Sequence, residues 1–147
     1  MLPSRLSLVP VAAEDFEAML ALRIEALRES LERLGRFDPQ RARERLASQF
    51  EPACMQHIER EGQRIGFFTV KPLDDGALKL VHLYIRPGSQ GQGVGRWVLD
   101  GIKKRGRDIR LSALKLSDAN RFYLREGFVP VGESEMDIDY LWKAGAA

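Results

Sequence analysis

The sequence predicts an α/β chain of the mixed α+β kind, a central mixed β-sheet flanked by helices, and three observations carry that prediction. Apolar residues recur at three- and four-residue steps from Phe16 to Leu34, the period of an amphipathic helix. Strand-like runs between Cys54 and Ile85 are separated by short glycine-containing turns, the pattern of an antiparallel meander. From Leu78 to Leu116 a strand, a glycine-rich turn, a helix and a second strand follow one another, long enough for a parallel crossover.

Each element can be justified in order. Arg5 to Val9 alternates apolar with polar and reads as a strand that Pro10 stops, with Leu6, Val9 and Val11 as its apolar members. Phe16, Met19, Leu20, Ile24, Leu27, Leu31 and Leu34 form one apolar stripe on a long helix, and Gly35 is its natural end. Asp38-Pro39 reads as an N-cap followed by proline at the first helical position, opening a second helix through about Leu46. Cys54 to Arg60, Arg64 to Lys71 and Ala77 to Ile85 are the strand-like runs, split by Glu61-Gly62 and by Asp74-Asp75-Gly76. The third is apolar on both faces, with Leu78, Leu80 and Tyr84 on one and Val81, Leu83 and Ile85 on the other, so it is expected to be central and fully covered. A helix carrying Val94, Trp97, Val98 and Ile102 on one face follows, closed by Gly106. Arg110 to Leu116 is a further strand, Ser117-Asp118 caps a short helix ending near Gly127, and Phe128 to Val131 and Ile138 to Trp142 are a last pair of strands.

Length and composition bound the function. The 147 residues suit a single domain, 1–147, with a sizeable core. A formal net charge of only +2 argues against nucleic acid as a partner. The basic run Lys103 to Arg107 is expected at a helix end, where cations favour the macrodipole. Cys54 is the only cysteine, which rules out an intramolecular disulfide and a multi-cysteine metal site, and no metal is expected. With no signal-peptide pattern and no membrane-length apolar run, the expectation is a cytoplasmic protein with no membrane partner.

The informative stretch is Gln90-Gly91-Gln92-Gly93-Val94-Gly95-Arg96. Glycines at alternate positions let the backbone turn tightly and present successive N–H groups without Cβ interference. The turn leads into a helix N-terminus, where unpaired donors and the positive end of the macrodipole converge on a phosphate site. A P-loop Lys-Ser/Thr is missing and the glycine spacing is not that of a dinucleotide fingerprint, so the phosphate is expected to be held mainly by backbone. Taken alone, such a turn is equally a flexible connection.

Leu83-Tyr84-Ile85-Arg86-Pro87 followed by Gln90-Gly91-Gln92-Gly93-Val94-Gly95 resembles motif A of the GNAT acetyltransferases, the Gln/Arg-x-x-Gly-x-Gly/Ala signature. Downstream, Ala119-Asn120-Arg121-Phe122-Tyr123-Leu124-Arg125-Glu126-Gly127-Phe128 resembles their motif B, in the right order and separated by a helix and a strand. The resemblance covers Arg64 to Trp142, while the N-terminal third matches only the general layout. It implies an acetyl-CoA-dependent N-acetyltransferase acting on a primary amine of a small molecule or peptide, by direct attack in a ternary complex. A homodimer is the assembly it suggests. The alternative is a non-catalytic module of the same fold that binds or senses acyl-CoA; a different phosphate-ligand protein with a coincidental loop is the third reading, and it lacks a second motif.

The resemblance also implies roles. Gln90, Gly91, Gln92, Gly93, Val94, Gly95 and Arg96 would hold the pyrophosphate. The strand edge Leu83, Tyr84 and Ile85 would pair with the pantetheine amides, with a backbone N–H there as oxyanion donor. Ser117 stands near where the family often has an asparagine and, with Asn120 and Tyr123, would complete the cofactor contacts. Tyr123 would be the general acid for the leaving thiolate, and its other reading is a core or rim tyrosine. Family bases are often glutamates on the central strand, whereas this chain has Lys79 and His82 there. His82 is the candidate base, with a hydrogen-bonded structural histidine as the equal alternative, and His57 reads as structural. Cys54 reads as a small buried hydrophobe rather than a nucleophile. The acidic positions Glu133, Glu135, Asp137 and Asp139 read either as a solvated edge hairpin or, with Glu25, Glu29 and Glu32, as an attractor of a cationic acceptor.

Overall fold

The computed structural model describes residues 5–145. Its elements are β1 (Leu6–Pro10), α1 (Phe16–Arg33), α2 (Pro39–Gln49), β2 (Met55–Arg60), β3 (Gln63–Pro72), β4 (Leu78–Ile85), α3 (Val94–Lys103), β5 (Ile109–Leu114), α4 (Ala119–Arg125), β6 (Val129–Glu133) and β7 (Asp137–Trp142). The strands form one mixed sheet in the order β1-β2-β3-β4-β5-β7-β6. This is the predicted element order and fold class. The chain resolves into two compact units, one holding the residues up to Thr69 with His82–Gly95, the other Val70–Val81 with the residues from Arg96 on.

In the first unit β2 pairs antiparallel with β1 and with β3. Glu61 and Gly62 join β2 to β3 with φ of +52° and +83°, the left-handed pair that a two-residue hairpin with native twist demands. Asp38 caps α2 as expected, its carboxylate accepting from the amides of Gln40 and Arg41 with Pro39 behind it. The core gathers Val11, Met19, Leu20, Ala42, Leu46, Met55 and Phe67, flanked by half-buried Phe16, Leu22, Ile24, Phe50 and Tyr84. The α1 stripe is buried only in its first half. Met19, Leu20 and Arg23 are buried, whereas Ile24, Leu27, Leu31 and Leu34 are half-exposed.

In the second unit β5 pairs antiparallel with β7, and β7 with β6. The start of β4 runs parallel to β5, Leu78 opposite Ile109 and Leu80 opposite Leu111. The buried apolar residues include Val98, Leu99, Ile102, Ile109, Leu111, Phe128 and Tyr140. On α3 the buried face comprises Val98, Leu99 and Ile102, while Trp97 is only half-buried: at about 100° per residue Leu99 stands nearly opposite Trp97, so the buried arc centres away from the tryptophan.

Three expectations need correction. The strand β4 is not covered on both faces: Leu78, Leu80 and His82 are buried, but Val81, Leu83, Tyr84 and Ile85 are half-buried and Lys79 is exposed. An apolar pattern reports what a face can bury, not what covers it. Cys54 lies in a short turn before β2, half-exposed, its thiol donating to Glu51 Oε2 at 3.0 Å, so it is not a buried hydrophobe. Ser117-Asp118 precedes α4, but the Asp118 side chain makes no capping hydrogen bond.

Candidate active site

The glycine-rich loop lies in the first unit and leads into α3. A short turn, Pro87–Ser89, leaves β4, and Gln90 then anchors the loop by donating from Nε2 to Ile85 O at 2.8 Å. Gln92 donates to Gly88 O at 3.3 Å and accepts a hydrogen bond from Arg60 Nη1 of β2. The two glutamine side chains thus fold inward onto the loop's own framework. Gly91 and Gly93 have φ of +75° and +82°, so their backbone conformation is one that L side chains rarely adopt. A Cβ on Gly91 would meet nothing within 4 Å, so the space beside that residue is open. Among the described residues the amide N–H groups of Gly91, Gln92 and Gly93 are not spent in hydrogen bonds. Three successive unspent donors immediately ahead of a helix N-terminus are the kind of group a diphosphate requires.

Next to the loop, Leu83, Tyr84 and Ile85 form the half-buried end of β4. Gly66 on β3 permits close approach there, since a Cβ at Gly66 would fall 2.2 Å from Tyr84 O. His82 is 3 % exposed. Its Nδ1 lies 2.8 Å from Thr69 Oγ1 and its Nε2 lies 2.9 Å from Gln49 Oε1, and the ring packs edge-on to Phe67 and tilted against Tyr84. That pairing fits the tautomer in which Nε2–H donates to Gln49 and Nδ1 accepts from the Thr69 hydroxyl. His57, as expected, is a structural histidine: buried on β2, its Nε2 lies 2.9 Å from Asp15 Oδ2. The Ala12 amide and then the His57 ring hold the Asp15 carboxyl at about 2, below the usual aspartate range.

The second unit brings Ser117, Asn120 and Tyr123 together at the end of β5. Asn120 donates from Nδ2 to Leu114 O at 2.9 Å and to Ser117 O at 3.0 Å, and its Oδ1 accepts from Tyr140 OH at 2.8 Å. Burial pushes the Tyr140 phenol up from its ordinary value. Asn120 therefore ties α4 to β5 and β7, and both ends of its amide are engaged. Tyr123 is buried on α4 in an aromatic cluster with Phe122, Phe128 and Tyr140. The acidic residues read as an acceptor attractor include three with cationic partners: Glu25 with Arg86, Glu32 with Arg28 and Glu133 with Lys115. Among the described residues no cluster of histidine, cysteine or carboxylate groups suits a metal ion, and no helix is long and apolar enough to cross a membrane.

The model of the acetyltransferase (GNAT) domain matches residues 53–130, more than half of the chain. The chain belongs to the GNAT acetyltransferase family. No curated protein matches it significantly. Solved GNAT structures share the fold. The PaiA N-acetyltransferase of Thermoplasma acidophilum, in complex with coenzyme A, superposes with a TM-score of 0.74 at 16% identity, over 94% of this chain and 98% of that one. An acetyltransferase from Thermus thermophilus gives 0.74 at 19% identity, over 97% and 99%. A GCN5-related N-acetyltransferase from Rhodopseudomonas palustris gives 0.75 at 18% identity, over 97% and 98%. As a GNAT domain the chain is an acyl-CoA-dependent N-acetyltransferase. The matched segment contains both the glycine-rich loop and Tyr123.

Several residues around this GNAT site escaped the sequence reading. Arg60, Thr69 and Gln49 have no local signature, because each acts through a partner between 13 and 33 residues away. Arg23 did carry a signal, since it stands four residues from both Met19 and Leu27 within the apolar stripe.

Proposed function

We propose that the chain transfers an acetyl group from acetyl-CoA to a primary amine by direct attack in a ternary complex. The observation that supports this most is the run of three unspent amides at Gly91, Gln92 and Gly93, immediately ahead of α3 in a turn whose two glycines are left-handed. In this reading they bind the pyrophosphate with Val94, Gly95 and Arg96, while the open end of β4, Leu83 to Ile85, aligns the pantetheine. Ser117 and Asn120 shape the end of β5 rather than donate freely.

The amine nitrogen attacks the thioester carbonyl, the C–S bond breaks, and one proton leaves the nitrogen as another joins the thiolate. Tyr123 supplies the thiolate's proton. An alkylammonium with an ordinary value near ~10.4 costs about 4–5 kcal/mol to deprotonate at pH 7, so a base or water chain assists. Both ring nitrogens of His82 are engaged, so it fills that role only when Gln49 swings its amide away from Nε2 and the ring proton moves to Nδ1 against Thr69, which frees the Nε2 lone pair for the amine. Gln49 is an exposed residue whose side chain can change rotamer into solvent, so this withdrawal is open to it.

Two measurements test the reading together. Calorimetry with acetyl-CoA against adenosine phosphates reports on the loop, and thiol release across a panel of amines reports on transfer. Binding with acetyl-dependent thiol release is expected. No heat with coenzyme A or acetyl-CoA up to millimolar concentration overturns the reading, and tight binding with no turnover on any amine leaves a sensor instead.

A further inference from the structure

We infer that Arg23 is the anchor for a carboxylate on the acceptor, so that the amine substrate is a molecule carrying both an amino and a carboxylate group. The inference rests on the acetyltransferase reading and names its substrate class. Arg23 lies on α1 at 7 % exposure, over nine-tenths buried. A guanidinium is a permanent cation with five N–H donors. Here it makes one hydrogen bond, from Nη1 to Ala42 O at 3.3 Å, and its Nε is buried with no partner. No carboxylate among the described residues pairs with it. Three acids of its own helix are engaged by other arginines: Glu17 by Arg43 at 2.7 Å, Glu25 by Arg86 and Glu32 by Arg28.

A buried cation without a counter-ion is costly, and a methionine or leucine in its place normally costs less. Its retention needs an anion that arrives from outside. The surroundings say where. The guanidinium lies 5.6 Å from the centroid of the Tyr84 ring, on the half-buried end of β4 to which the reading above assigns the pantetheine. Along α1 it also marks the point where the apolar stripe passes from buried Met19 and Leu20 to half-exposed Ile24, Leu27 and Leu31. A planar carboxylate offers two oxygens to a guanidinium whose Nε is unpartnered, and in this inference the amine of the same molecule then faces the thioester.

The test compares acids with their carboxamides, which keep the amine and lose the charge. Wild type, Arg23→Met and Arg23→Lys are assayed for thiol release, and binding to the coenzyme A complex is followed by thermal shift so that turnover is not required. The acid is expected to exceed its amide by on the order of a hundredfold in kcat/KM in wild type, with the ratio falling to about one in Arg23→Met and lying between in Arg23→Lys. Arg23→Met is also expected to melt higher than wild type without ligand, because it removes an unpaired buried charge. Equal kcat/KM or equal thermal shifts for acid and amide in wild type overturn the inference while leaving the acetyltransferase reading intact. A weakened coenzyme A heat in Arg23→Met with an unchanged acid-to-amide ratio reassigns the arginine to the cofactor and also overturns it. Absence of any coenzyme A heat in wild type strikes the acetyltransferase reading, and the acid-against-amide shift on the free protein then decides the anchor separately.

Discussion

Replacing Gly91 by alanine separates what the glycine-rich loop costs the fold from what it does for the ligand. Its φ of +75° is left-handed, and a Cβ there has no neighbour within 4 Å, so sterics inside the protein play no part. Alanine in that conformation costs about 1–2 kcal/mol. Against this, the stiffer unfolded chain returns about 0.4–1 kcal/mol, leaving a net loss of roughly 1 kcal/mol. For a chain of this size that lowers Tm by about 3 °C. Gly76, in the β3–β4 turn, has φ of +90° and likewise nothing within 4 Å, so Gly76→Ala is a matched control with the same kind of backbone penalty. The two variants part at the ligand. If alanine shifts the loop off its left-handed turn, the adjoining amides of Gln92 and Gly93 no longer converge, and one charge-assisted hydrogen bond of about 1.5–3 kcal/mol is lost. That raises Kd for coenzyme A by about 10- to 100-fold, whereas Gly76→Ala leaves it unchanged. Calorimetry on both variants, with melts alongside, is the assay. A Kd for Gly91→Ala within a factor of about two of wild type, accompanied by the same Tm loss as the control, refutes the assignment of this backbone to the diphosphate.

Four further outcomes follow from the same geometry. Tyr123→Phe should lower kcat by about 100-fold or more at saturating acetyl-CoA with little change in its KM, and unchanged turnover removes Tyr123 from the mechanism. His82→Gln should flatten the acidic limb of the pH–rate profile, and a wild-type profile excludes His82 as the base. Gly66→Ala places a Cβ 2.2 Å from Tyr84 O, a backbone atom that cannot swing away, so β3 and β4 must part. A loss of about 2–3 kcal/mol, read as a Tm lower by roughly 6–9 °C, is expected, and an unchanged melt contradicts the close approach. Asp15 is held at about 2, below its ordinary 3.8, so its contribution is complete above about pH 4 and lost as pH falls through about 2. Melts of wild type and Asp15→Asn should therefore differ most near neutrality and converge in acid, and a gap that stays constant down to about pH 2 counts against the depressed carboxyl.

Much of the fold was legible because its signals are local. The Asp38-Pro39 cap acts within three residues, and Glu61-Gly62 fixes its hairpin within two, so each could be read directly and each is observed. The alternating glycines of the loop were legible for the same reason, their left-handed φ being a property of single residues. What failed was inference about coverage. The two apolar faces of β4 and the full length of the α1 stripe look equally suited to burial, yet only part of each is buried, since periodicity describes one element and burial needs another to arrive. The site was legible to the same depth. Motif spacing singled out Gln90 to Arg96 and Tyr123, but not that Gln90 and Gln92 turn their side chains onto the loop framework, nor that Asn120 has both ends of its amide engaged by Leu114, Ser117 and Tyr140.

Charge shows most sharply why counting residues misleads. Arg23 and Glu25 stand two residues apart on α1 and cancel in any formal sum. Glu25 is exposed and meets Arg86, so in high dielectric its charge is screened and worth little to a passing ligand. Arg23 is buried, with Nε unpartnered, where the same unit charge is felt far more strongly. The acidic residues that stand out in the sequence are thus the weaker guide to the acceptor, because partners within the chain already answer several of them. One cation hidden in an apolar stripe outweighs them, because no carboxylate among the described residues answers it and, in the inference drawn above, an acceptor's carboxylate beside Tyr84 does.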